Sequence, residues 1–123
     1  MSTHTFTIEK GSTDVSFDVF AQSSADGTAL TGIAYNDASL TAYYKIGTLG
    51  ASTALTLATQ TPTGAHSDGG LVEISATNHE GLYRFDISDA IVADTAGIER
   101  ASIVIRGRTN LQPIIINIEL VDA

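Results

Sequence analysis

Asn78, His79 and Glu80 put an amide, an imidazole and a carboxylate side by side, followed by Gly81, Tyr83 and Phe85. No other stretch of the 123 residues gathers as much potential chemistry. It could form part of a metal or acid–base site, or it could be a turn between two strands. The remaining histidines, His4 and His66, lie far off in the chain. No pair has the i, i+4 spacing of a helical zinc site. Three exposed loop or edge histidines are therefore expected. Acidic residues are plentiful, but no D-x-[DN]-x-[DN]-G calcium loop occurs. The nearest approaches, residues 66–70 and 86–89, read as solvated turns. There is no G-x-S-x-G elbow and no phosphate-cradling glycine loop. With no cysteine, thiolate metal sites, thiol nucleophiles and disulfides are excluded. No catalytic residue, metal site or cofactor is expected.

The elements that hold these residues follow a period of two. Phe6 and Ile8 alternate with threonines. Val15, Phe17 and Val19 alternate with Asp14, Ser16 and Asp18, and Ile114, Ile116, Ile118 and Leu120 close the chain in the same way. Such alternation marks strands with one buried face. Turn-rich breaks recur every 8 to 20 residues, as a sandwich or barrel requires. Eight or nine strands are expected, near residues 4–9, 14–22, 30–35, 40–46, 53–58, 71–75, 82–87, 99–107 and 113–121. Residues 88–94 read as one helical turn, with Ser88 as its cap. Residues 59–70, rich in Gly and Thr, read as the most mobile loop.

Composition narrows the function. Residues 1–123 fit one domain, and a chain of this size can bury roughly two-thirds of its surface. Six basic residues face 14 acidic ones, a formal charge of −8, which opposes binding to nucleic acid or to anionic lipid. No apolar run is long enough to span a bilayer, and the first residues lack the pattern of a signal peptide. Synthesis in a reducing cytoplasm is the simplest expectation.

Within this β framework the opening stretch reads as a corner. Gly81 would supply positive φ, Asn78 would cap the turn, and the Tyr83 hydroxyl would bond the backbone a few residues upstream, as in the tyrosine corner of immunoglobulin-like sandwiches. His79 and Glu80 would be its exposed tip. Phe20, Tyr43, Ile91 and Ile115 are apolar residues expected on solvent faces, and would form a docking patch if clustered.

Several stretches together, "FTIEKGSTDVSFDVF", "LTGIAYNDASLTAYYKIG", "ALTLAT", "ATNHEGLYRFDISDAIVA" and "IVIRGRTNLQPIIINIEL", resemble small immunoglobulin-like proteins of tailed-bacteriophage structural gene clusters. The resemblance covers nearly the whole chain. It implies an all-β, immunoglobulin-like antiparallel sandwich and a non-enzymatic virion component assembled in the bacterial host cytoplasm. Capsid decoration, with the major capsid protein as partner, is the first expectation. A tail, baseplate or fibre role is the second. A carbohydrate- or surface-binding module, with Tyr43 and Tyr35 as stacking platforms, is an alternative of another class. A homo-oligomer is compatible with each.

Overall fold

A computed structural model describes residues 2–122. Eight strands form two sheets: β1 (Ser2–Glu9), β2 (Ser16–Phe20), β3 (Thr41–Ile46), β4 (Thr53–Leu55), β5 (Leu71–Ser75), β6 (His79–Asp86), β7 (Arg100–Arg106) and β8 (Ile114–Val121). A five-stranded sheet has the order β1-β8-β7-β3-β4, and a three-stranded sheet the order β2-β6-β5. The protein is a β-sandwich.

The period-two residues make its core. Phe17 and Val19 of β2 and Tyr83 and Phe85 of β6 line the inner face of the small sheet. Ile103 and Ile105 of β7 and the even-numbered residues 114–120 of β8 line that of the large one. Each such side chain contributes about 1.5–3 kcal/mol by leaving water. Phe6 stacks on Phe17 with ring centroids 4.1 Å apart, joining β1 to the small sheet.

Three local expectations are corrected. The sheets are not wholly antiparallel, because β1 runs parallel to β8, with Ser2 beside Ile114 and Glu9 beside Val121. Residues 30–35 form no strand. Gly32 has φ +80°, which breaks the extended run, and side chains rather than a neighbouring strand take the N–H groups of Gly32, Ile33 and Ala34. The expected helical turn forms as a short 3-10 element, Asp89–Val92, but the Ser88 side chain makes no capping bond to it. Ile91 lies in that turn and is fully buried, so it cannot belong to a docking patch. Its neighbours Ala90 and Ala93 are small, and the turn rolls Ile91 and Val92 together into the core.

Candidate functional surface

The turn before β6 is made by residues 76–78, all exposed, and His79 and Glu80 are exposed after it. Asn78 does not cap the turn with its side chain. Its backbone N–H donates to the Ser75 hydroxyl at 3.1 Å, so Ser75 does the capping. Gly81 has φ +81°, as its type suggests, but it sits inside β6. A Cβ there would stand 2.9 Å from both Ala29 Cβ and Phe20 Cε1. The glycine therefore admits a close approach of the β2–β3 connection, which any larger residue would block.

Tyr83 also acts at long range. Its hydroxyl donates to the Leu30 carbonyl at 2.8 Å and accepts the Ile33 N–H at 3.1 Å. The expected bond to the backbone a few residues upstream is replaced by a clamp on the irregular segment 30–33. Burial pushes the Tyr83 hydroxyl up to about 12. Glu73 completes the clamp, one carboxylate oxygen taking the Gly32 N–H and the other the Gly81 N–H.

Two histidines are less exposed than expected. His4 points inward on β1, where its Nε2 accepts the Phe20 N–H at 3.1 Å, tying an edge of one sheet to an edge of the other. His66 donates from Nε2 to the Ile87 carbonyl at 2.8 Å, and its Nδ1 lies 3.5 Å from Asp14 and 3.7 Å from Asp68. Among the described residues no group of three or more His, Asp or Glu side chains is placed to hold a metal ion.

A second polar cluster escapes a reading of the sequence. Asp86 is fully buried, although it lies on the outward side of β6. Ser16, Gln60, the Ser67 N–H and both Nε and Nη2 of Arg84 donate to its carboxylate. Burial alone would raise this carboxyl. The bonds from Ser16, Ser67, Gln60 and Arg84 outweigh it and hold the group below its ordinary range. Arg84 Nη1 also donates to the carbonyls of Thr61, Pro62 and Gly64, the last at 2.7 Å. The supposedly loose loop is thus pinned across the small sheet. With its acceptor sites occupied, Asp86 anchors the loop and has no lone pair aimed at solvent for base chemistry.

The outer face of the five-stranded sheet is uncovered. Thr3, Ile115, Val104, Tyr43 and Ala54 are successive cross-strand neighbours on β1, β8, β7, β3 and β4. Four of the five are apolar, and they form one row across the sheet. Tyr43 is 45% exposed, while Ile115 and Val104 are half-buried. Two of the four residues singled out in the sequence, Tyr43 and Ile115, are brought together here. Phe20 is not, because it belongs to the small sheet, where it packs over Gly81. Val104 was legible as an outward position of β7, but its place in the row depends on register between strands far apart in sequence. Above the row, Lys45, Ser102, Asn117 and Arg100 line an open depression of 690 Å³. Gly47 and Thr48 reach its rim, and the next residue, Leu49, is 97% exposed at the tip of the β3–β4 hairpin.

No family model, no curated protein and no solved structure matches this chain.

Proposed function

We propose that this protein is a non-enzymatic structural component of a tailed-phage virion, and that it decorates the capsid by docking the outer face of its five-stranded sheet on the shell. The row Ile115–Val104–Tyr43–Ala54 carries the docking part of this reading. A solvated sheet face normally alternates away from apolar residues, and an aligned strip of them with an exposed tyrosine suits a protein interface. The virion part rests on the resemblance quoted above. A tail or baseplate position would use the same face.

Electron microscopy of particles with and without this chain tests the proposal. The shell should lose a regular layer of density when the chain is absent, and adding wild-type protein should restore it. The double variant Tyr43→Ser/Val104→Ser should not. Unchanged density on both shell and tail would sink the virion reading. Full rebinding of the double variant would sink the choice of face.

Tyr43, exposed at a small open pocket on the large sheet, supports one second reading, a sugar-binding platform. Tyr35, half-buried against the core, lines that pocket as the second platform. A glycan array without signal would remove this alternative.

A further inference from the structure

The chain has six basic residues, and their pairing is uneven. Lys10 meets Asp122 at 3.4 Å, Arg84 meets Asp86 at 3.0 Å and Arg108 meets Asp37 at 2.6 Å. Among the described residues Lys45, Arg100 and Arg106 make no ion pair within 4 Å. All three lie on the outer face of the five-stranded sheet. Lys45 is two residues beyond Tyr43 on β3, and Arg106 two residues beyond Val104 on β7, so they flank the apolar row from opposite sides. The carboxylates lining the depression, Glu99 and Glu119, are the residue before Arg100 and its cross-strand neighbour on β8. On these strands the charged residues next to the row are Lys45 and Arg106, and the others there, Thr5, Thr41, Ser102 and Asn117, are neutral.

We propose that the docking partner is a protein with an acidic contact surface, its carboxylates flanking an apolar ridge that seats on Val104 and Tyr43. This rests on the outer face being the docking face. A net charge of −8 repels an acidic partner from the rest of the molecule, so the two free cations select this face during approach. Lys45 and Arg106 give up no internal ion pair when they engage the partner. The long-range part of the attraction acts over a screening length of about 8 Å at physiological salt, so the association is salt-sensitive.

Amide NMR on the full chain tests the partner chemistry with two synthetic peptides: one alternating glutamate with valine, the other alternating lysine with valine. At low salt the acidic peptide should shift amides of β3 and β7. The Lys45→Glu/Arg106→Glu variant should lose that response while keeping its melting temperature. The lysine peptide should leave those amides in place. The proposal is overturned if the lysine peptide shifts them equally, if the acidic peptide shifts only amides elsewhere, or if neither peptide shifts any. Particle binding separates this idea from the one beneath it. Rebinding that survives Lys45→Glu/Arg106→Glu but fails in Tyr43→Ser/Val104→Ser overturns the acidic partner and leaves the docking face standing. Rebinding that survives both overturns both.

Discussion

Tyr83 supplies at a single residue what a neighbouring strand would otherwise give the segment 30–33: a donor for the Leu30 carbonyl and an acceptor for the Ile33 N–H. Removing the hydroxyl leaves both groups unpaired beside the core. Tyr83→Phe should therefore destabilise the protein by about 1–3 kcal/mol, read by chemical denaturation, with faster amide exchange at Ile33. The identities of Gly81 and Tyr83 as structural residues were legible, because glycine before an aromatic at a strand start has few other uses. Their partners were not. Ala29, Leu30 and Ile33 lie about fifty residues away in sequence, and a local corner explains the same two residue types equally well.

At the scale of elements, alternation located most strands of the sandwich, because burial of one face acts on each second residue, whereas β4 and β5 carry no alternating burial. It failed at residues 30–35, where Leu30, Ile33 and Tyr35 suggest a strand but polar side chains have replaced the ladder. The loop 59–70 misled in the opposite direction. Its composition is that of a flexible segment, and the two residues that immobilise it, Arg84 and Asp86, read as ordinary outward positions of β6. Asp86→Asn should leave Arg84 facing a neutral partner in a buried network. A cost of up to about 3–5 kcal/mol is expected, with hydrogen exchange rising first at residues 60–67. The β1–β2 tie gives a pH dependence. Burial lowers His4 from its ordinary 6.5, with the Ile115 main chain pulling weakly the other way. The folded state thus binds its proton less readily than the unfolded chain does, so this contribution is complete above pH 6.5 and is lost as pH falls below that. An imidazolium Nε2 cannot accept the Phe20 N–H. Stability of the wild type should fall from about pH 6.5 downward more steeply than that of His4→Gln. Parallel pH profiles would show that His4 is not the source.

For the molecule as a whole, stability and the proposed docking draw on opposite faces of the same sheet. Inward residues of β7 and β8 are almost wholly buried, while Tyr43 and Val104 project from the other side. Tyr43→Ser/Val104→Ser should then change unfolding free energy by little more than the ±0.5 kcal/mol usual for surface positions while abolishing particle binding. A loss of several kcal/mol would mean that the row is part of the fold rather than an interface. Single apolar residues on solvent faces were visible in the sequence. Their alignment was not, since it depends on the register of strands brought together from five parts of the chain.

The parallel pairing of β1 with β8 has a mechanical consequence. Ser2 lies at one end of this ladder and Val121 at the other. Seven residue steps at the usual rise separate them by roughly 23 Å. A pull applied through the two ends of the domain is directed along the strands, so the rungs between β1 and β8 share the load at once instead of opening one by one. A protein held by its termini in this way resists tension in shear.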